Sequence, residues 1–503
     1  MKERVGVIDL GSNTVRLLIF EINEDGSYRI INEVKETIRL SEKMGKDNLL
    51  NPDAMLRTMK VIDLFKRLCD ISGVSTILAA ATAAVRKAKN RDEFVTMLEH
   101  CTGIRFKVIS GEREAELGYI GVKSTMDIED GVIVDIGGAS IEVTRFEKGK
   151  PNKSTSIPYG AVTLTEAFLS TDVNTPRQIE ELEGFLRERF KELEWLKDAE
   201  ELPLIGLGGT IRNLCKIDKV KKGYSLNSVH NYNMSGGELA DIYDGIKFKS
   251  MSERVEVPGL SKERADIIIA GACAVNMLLQ VMGSNRLIIS GSGIREGLFY
   301  DYYFNAFKDR KNTDIRILSM ENFMKLQHID MQHAEHVSML AMKLFDQLAP
   351  LHKLSGPYRD LFEKSAILHD AGVNIDFYNR DEHTYYLLTN SRLNGFSHKE
   401  IIMLALIASK FTGDKLKNHY IRHNDILGKA DHKEIKKLIA LLIICDKLDR
   451  SKSGVVKDLK CILLSNKVTI KAIIDGDGEL EIAEAMKQAA LFKKAFNREL
   501  VFL

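Results

Sequence analysis

Residues 5–22 read VGVIDLGSNTVRLLIFEI, and residues 131–146 read GVIVDIGGASIEVTRF. Each stretch is an apolar, β-branched run that ends in an Asp, a tight turn of small residues, and a second apolar run. That is the signature of a β-hairpin. Asp9 and Asp135 hold the same place in the two copies, 126 residues apart. A repeat at domain-scale distance predicts two similar α/β halves.

The segments between and after the copies fit that reading. Apolar positions at helical spacing predict helices over Pro52–Ser72, Asn90–Cys101 and Glu112–Gly121. Strands are predicted at 74–79 and 106–109. After the second copy come a charged helix over Pro176–Leu196, a strand with a Gly-rich turn over Leu204–Thr210, a helix over Lys262–Met282 and a strand over Arg286–Gly293. Strands alternating with helices give α/β architecture. From about Glu321 to Leu448 the pattern turns almost entirely helical, and residues 459–474 read as a further hairpin. Phe307–Asn312 reads as a charged, exposed linker.

Composition bounds the function. The 503 residues suit three or four domains. Lys plus Arg number 72 and Asp plus Glu 71, for a net charge of +1. This balance excludes a generally basic nucleic-acid-coating protein and an acidic disordered one, though not a local basic groove. No apolar run approaches the ~20 residues of a membrane span, and the N-terminus lacks a signal-peptide pattern. A cytoplasmic protein with no membrane partner and no nucleic-acid partner is expected. The six scattered cysteines read as reduced core residues with no zinc site among them. Ten of the 12 histidines follow residue 319, and all eight prolines lie at or before Pro357, so a different kind of domain begins near there.

The hairpin turns can carry chemistry. Successive backbone N–H groups in a Gly-rich turn form a nest for phosphate, and glycine permits the close approach. An Asp at the strand end can hold Mg²⁺, which offsets phosphate charge. Either turn alone could be an ordinary hairpin. The pair, in register with the Asp, favours a clamp around one phosphate chain.

Asp9-Leu10-Gly11-Ser12-Asn13-Thr14 and Asp135-Ile136-Gly137-Gly138-Ala139-Ser140 resemble the two phosphate motifs of the actin-like ATPase superfamily. The finer resemblance is to the exopolyphosphatase/guanosine pentaphosphate phosphatase (Ppx/GppA) family. It is carried also by Ala81–Arg86, Ile109–Ala115, Gly208–Arg212, Pro258–Ser261 and Ser292–Gly297, and so spans residues 5–300. Ala139 stands where the family usually has a third Gly.

The resemblance implies an α/β fold of two actin-like (ribonuclease H-like) domains, 1–126 and 127–305, followed by a helical HD-like domain over 312–503 with a small α+β tail. It implies Mg²⁺- or Mn²⁺-dependent hydrolysis of the terminal phosphoanhydride of inorganic polyphosphate. The same chemistry on guanosine pentaphosphate (pppGpp), or a phosphate- or nucleotide-sensing regulator without turnover, are the alternatives. A homodimer is expected.

The resemblance also assigns roles. Glu114, in Ser110-Gly111-Glu112-Arg113-Glu114-Ala115, is the expected water-activating base, with Arg113 replacing the family's first Glu. Glu112 and Glu116 read as a solvated helix start. Arg86 is expected on the terminal phosphate, with a surface ion pair as its alternative. Gly11, Ser12, Asn13, Thr14, Gly137, Gly138, Ala139 and Ser140 are expected to bind phosphate, with Gly208, Gly209, Thr210 and Arg295 shaping or extending its path. Asp9, Asp135 and Glu142 are the candidate Mg²⁺ ligands, Glu142 having a structural alternative.

In the C-terminal region, His333, His369-Asp370 and Asp446 follow the order of the HD-type metal-dependent phosphohydrolases, which implies a possible second metal. Ser409-Lys410-Phe411 stands where such relatives often carry Arg-Tyr-His. A scaffold that only lengthens a polyphosphate groove is the alternative. His328, His336, His352, His419, His423 and His432 are expected on the surface or in a groove.

Overall fold

The computed structural model describes residues 2–42, 44, 47–170 and 172–503. They form two compact units. One runs up to Tyr224 and resumes over Ser228–Leu318; the other comprises Ser225–Asn227 and Ser319–Leu503.

The first unit contains two sheets of one design. In the first, β1 (Glu3–Leu10), β2 (Thr14–Ile22) and β3 (Tyr28–Thr37) form an antiparallel meander, and β4 (Thr76–Ala81) and β5 (Phe106–Val108) extend it in parallel on the other side of β1. In the second, β6 (Gly131–Ile136), β7 (Ile141–Glu147) and β8 (Lys150–Ile157) repeat the meander. β9 (Leu204–Leu207) and β11 (Arg286–Ile289) take the places of β4 and β5, and β10 (Tyr232–Ser235) adds an antiparallel edge. The predicted repeat is therefore a repeat of topology.

The strands read as nearly continuous apolar runs because both faces are covered. Alternation sends Ile8 and Leu10 of β1 into one core, with Phe65, Phe94 and Leu98 from the helices Pro52–Ile71 and Arg91–Thr102. Val5 and Val7 enter another, with Phe20, Tyr28, Phe299, Tyr300 and Tyr303. These last three belong to the helix Ile294–Ala306. A helix expected within 127–305 thus covers the first sheet. It meets the helix Gly111–Lys123 almost backbone to backbone. A Cβ on Gly121 would stand 2.4 Å from the Gly293 carbonyl oxygen, and one on Gly297 only 2.0 Å from that of Leu117.

Three predicted elements differ in extent. The charged helix ends at Lys191, with a short 3₁₀ turn over Glu194–Leu196. The helix expected from Lys262 starts at Ile268, after a 3₁₀ turn over Lys262–Arg264. That break aims Arg264 at Gly209, where an added Cβ would lie 2.4 Å from its guanidinium. The expected exposed linker after Phe307 is pinned down instead. Arg310 bonds the carbonyls of Asp25 and Gly26 and the Tyr303 hydroxyl, and the Phe307 ring packs on Tyr303. Four cysteines are buried, but Cys101 is exposed and Cys461 half-buried.

In the second unit the helices Met331–Gln347, Gly356–Ile367, His398–Ala408 and Lys429–Lys447 pack on one another. A sheet of β12 (Val456–Leu463), β13 (Lys467–Ile474) and β14 (Glu499–Phe502) follows, and its first two strands are the predicted hairpin. Two histidines expected at the surface are buried. His352 bonds the Phe345 carbonyl, and His423 bonds the Tyr385 hydroxyl. His336 is half-buried against Asp449 and Val456.

Candidate active site

The two glycine turns face each other. Each is closed by the same bond: Gly11 N–H donates to Thr14 O at 3.1 Å, and Gly137 N–H to Ser140 O at 3.0 Å. A Cβ on Gly138 would lie 3.1 Å from Ser12 Cβ, so the turns approach to van der Waals contact. The carbonyls of Gly137 and Gly138 are taken by the first N–H groups of the helix Ala161–Phe168. Ala139 needs no glycine, since its φ is outside the left-handed region. Its side chain is buried, and its carbonyl accepts from Lys87 Nζ at 2.7 Å.

A polar cleft opens between the turns. Asp9, Gly11, Ser12, Asn13, Thr14, Asp135, Gly137, Gly138 and Ser140 line it, with Glu114 and Arg295. Gly208 and Gly209 line it as the first turn of the helix Gly208–Lys222, whose free N–H groups favour anions. Gly208 has φ +91°, and a Cβ there would lie 2.9 Å from Asp135 Oδ1, so a side chain is excluded twice over.

Four expected residues stand outside the lining: Ala139, whose carbonyl is held by Lys87, and Thr210, Glu142 and Arg86. Thr210 is fully buried, packed on Gly271. Glu142 lies behind the lining, where its carboxylate accepts from Ser156 at 2.8 Å. Arg86, too, is behind the lining, with Nη1 bonded to Glu114 Oε2 at 2.7 Å and to the Ile109 carbonyl at 3.0 Å, and Nη2 3.9 Å from Glu142. The ion pair weighed as the alternative for Arg86 is thus present, with Glu114 as its partner. Arg113, the departure from the family motif, bonds Glu116 and Asp301 and stays out of the cleft.

Three arginines without an assigned role also line the cleft, Arg16, Arg212 and Arg264, as does Glu296. The hairpin repeat could have found Arg16, because it pairs with Asp9 across β1 and β2 as Glu142 pairs with Asp135 across β6 and β7. Burial and the neighbouring arginines push Arg16 down to about 10, and burial with Arg16 does the same to Arg264. Burial lowers Arg212 as well. Burial works against Arg295, but Glu296 and Glu33 outweigh it.

The acids shift the other way. Burial, Glu142 and Asp9 push Asp135 up to about 7, and burial raises Asp9. Burial and Glu142 raise Glu114 well above its ordinary value, against the pull of Arg86. Burial raises Glu142 also. Crowded carboxylates with raised proton affinity are a fit for a cation. Asp9 and Asp135 on opposite turns suit Mg²⁺, which takes one or two carboxylates and keeps waters.

In the helical unit the HD-type residues do converge. Nε2 of His333 and of His369 lie 3.3 Å apart, and Asp446 Oδ1 is 3.3 Å from His369 Nε2. Asp370 Oδ2 is 3.6 Å from His333 Nε2. Among the described residues, His333, His369 and Asp370 form the set whose donor atoms all lie within 4.8 Å of one another. Asp449, which carried no motif, bonds His333 Nδ1 at 2.7 Å.

The comparisons with known proteins agree with this anatomy. A model of the Ppx/GppA phosphatase family matches residues 18–305, and one of Ppx/GppA phosphatase domain III matches residues 315–482. A guanosine-5'-triphosphate,3'-diphosphate pyrophosphatase of Vibrio vulnificus is 29% identical over 408 residues, 80% of each chain. The crystal structure of the Aquifex aeolicus Ppx/GppA family member has 29% identity and a TM-score of 0.54, covering 62% of this chain and all of its own. An exopolyphosphatase from Cytophaga hutchinsonii shares the fold at 24% identity and a TM-score of 0.57, over 60% of this chain and 98% of its own. Two actin-like halves, an acid-and-arginine cleft between glycine turns and a helical third domain together place this chain in the Ppx/GppA phosphatase family, hydrolases of phosphoanhydrides.

Proposed function

We propose that the protein is an exopolyphosphatase, releasing orthophosphate from the end of an inorganic polyphosphate chain. The observation that carries this reading is the set of four arginines, Arg16, Arg212, Arg264 and Arg295, gathered in one cleft beside two glycine turns. Arg16, Arg212 and Arg264 are each disfavoured by a neighbouring arginine, and with a cation on the cleft's acids the set suits a ligand with several negative charges along its length. Among the described residues no aromatic side chain lines the cleft, so it offers no ring for a nucleobase to stack on.

The terminal phosphate would sit between the turns, with backbone N–H groups and the start of the helix Gly208–Lys222 on its oxygens. Glu114, raised in proton affinity and held by Arg86, would take the proton of the attacking water. Asp9 and Asp135 would hold Mg²⁺, which when bound offsets charge on the phosphate oxygens. In-line attack then breaks the terminal P–O–P bond, and the shortened chain leaves as the anion, stabilised by the arginines.

The second reading, hydrolysis of pppGpp, is favoured by the name of the Vibrio vulnificus relative. Specificity constants for long polyphosphate and for pppGpp, measured on the full chain, separate the two. A higher kcat/KM for polyphosphate is expected. A higher value for pppGpp would overturn the first reading, and turnover of neither would overturn both.

A further inference from the structure

The cluster around His369 is organised beyond the needs of packing. His333 Nδ1 lies 2.7 Å from Asp449 Oδ2, and His369 Nδ1 lies 2.7 Å from the Ala366 carbonyl oxygen. Both partners are acceptors, so each Nδ1 donates and each Nε2 is the ring atom left to face the cluster. The two Nε2 atoms lie 3.3 Å apart in a buried site, with Asp446 Oδ1 3.3 Å from that of His369 and Asp370 Oδ2 3.6 Å from that of His333, so ring nitrogens and carboxylates converge. Asp370 is more than nine-tenths buried, and its Oδ1 has no hydrogen-bond partner. Two imidazoles and two carboxylates suit a divalent transition metal, and Asp449 fixes a ligand ring from behind.

A second feature sets this cluster apart. Lys410 adopts φ +57°, a left-handed conformation unfavourable for lysine. It places Nζ 3.3 Å from Asp446 Oδ2 and 3.6 Å from Asp370 Oδ1, buried and without a hydrogen bond. Lys452 Nζ and Arg380 Nη1 also reach Asp370, at 3.5 and 3.8 Å. These cations already balance Asp370 and Asp446. A divalent ion added to them leaves excess positive charge, which a multiply charged oxyanion would cancel.

We propose that the cluster is a joint site for one divalent cation and one phosphate-class oxyanion, and that Lys410 couples their binding. Repulsion from Lys410 weakens the metal when no anion is present. An anion on Lys410, Lys452 and Arg380 removes that penalty, and by linkage the metal strengthens the anion equally.

Mn²⁺ titrations of the full-length protein, followed by pulsed electron paramagnetic resonance, test this. Among the described residues the phosphate cleft has no histidine lining it, so nitrogen-coupled Mn²⁺ is not Mn²⁺ held there by an imidazole, and loss of the coupling in His369→Gln ties it to the cluster. Over one range of free Mn²⁺, and with Glu114→Gln in every protein so that tripolyphosphate is not cleaved, the titration is run without anion, with inorganic phosphate and with tripolyphosphate. Nitrogen-coupled Mn²⁺ is expected, with affinity raised about fivefold or more by the anion. Lys410→Met should tighten Mn²⁺ without anion and cut the coupling below about twofold. His369→Gln should lose the nitrogen coupling. Strengthening by phosphate assigns the free ion; strengthening by tripolyphosphate alone assigns a chain end. No nitrogen-coupled Mn²⁺ in the Glu114→Gln protein, with or without Lys410→Met, under any condition, or Mn²⁺ affinity indifferent to both anions, would overturn the proposal.

Discussion

Arg86 Nη1 donates to Glu114 Oε2 at 2.7 Å, while Glu142 presses on the same carboxylate from the side of β7. The two neighbours pull its proton affinity in opposite directions. Glu114→Gln keeps the shape but cannot accept a proton. It should lower kcat for phosphate release about 10²–10⁴-fold with KM changed little, because the loss falls on the transition state. Steady-state assay on polyphosphate checks this.

The neighbours should move the acid limb of the pH profile of kcat/KM. A base acts when deprotonated, and a raised value places the limb above the ordinary carboxylate range. Glu142→Gln removes a repelling charge, so the limb should shift to lower pH. Arg86→Met removes an attracting one, so it should shift to higher pH. Opposite shifts in the two profiles are the expected result.

Asp135 links pH to stability. Its ordinary value is 3.8 and its folded value about 7, so the folded form holds the proton more tightly. Its contribution is fully present below pH 3.8 and is lost as pH rises through 7. Divalent-free protein should therefore melt at lower temperature at pH 8 than at pH 5.5. Mg²⁺ should raise Tm more at pH 8, where the carboxylates are ionised. Calorimetry at the two pH values, with and without Mg²⁺, checks both.

Arg16→Gln and Arg264→Gln each remove a cation from the cleft wall. Loss of a charge-assisted hydrogen bond costs about 1.5–3 kcal/mol, so kcat/KM for polyphosphate should fall about 10–100-fold. Most of the loss should appear in KM if the contacts serve the body of the chain equally in ground and transition states.

Much of this was legible in the sequence, for a physical reason. A strand buried on both faces leaves an unbroken apolar run, and a turn that must admit phosphate leaves glycine; both appeared twice, at Asp9 and at Asp135. The topology and the cleft follow from those two runs, while Glu114 was legible only through the resemblance carried by Ser110–Ala115. What escaped depends on distance along the chain. Arg264 reaches the cleft only because its helix begins late, at Ile268, and because Gly209 has no side chain. Arg86 could be assigned to the region but not to Glu114, since one strand-end arginine can point at a phosphate or at a carboxylate. Arg310 looked solvated because its three partners lie more than two hundred residues away or inside a neighbouring helix turn. In the helical unit, His333, His369, Asp370 and Asp446 could be read from their order, but Asp449 behind His333 could not.

The contact of Gly121 with Gly293, and of Gly297 with Leu117, leaves no room for a methyl group. Gly297→Ala should cost at least about 2 kcal/mol in urea denaturation, since helix axes rather than side chains must yield. The feature matters beyond stability. Glu114 rides on one of these helices and Arg295 on the other, so the proposed base and a cleft arginine keep a fixed spacing. The same helix pair packs on both sheets, Phe299 and Tyr303 against the first and Tyr119 and Val122 against the second. The distance between water-activating carboxylate and cation is thus set at the seam of the two halves, and not by either half alone.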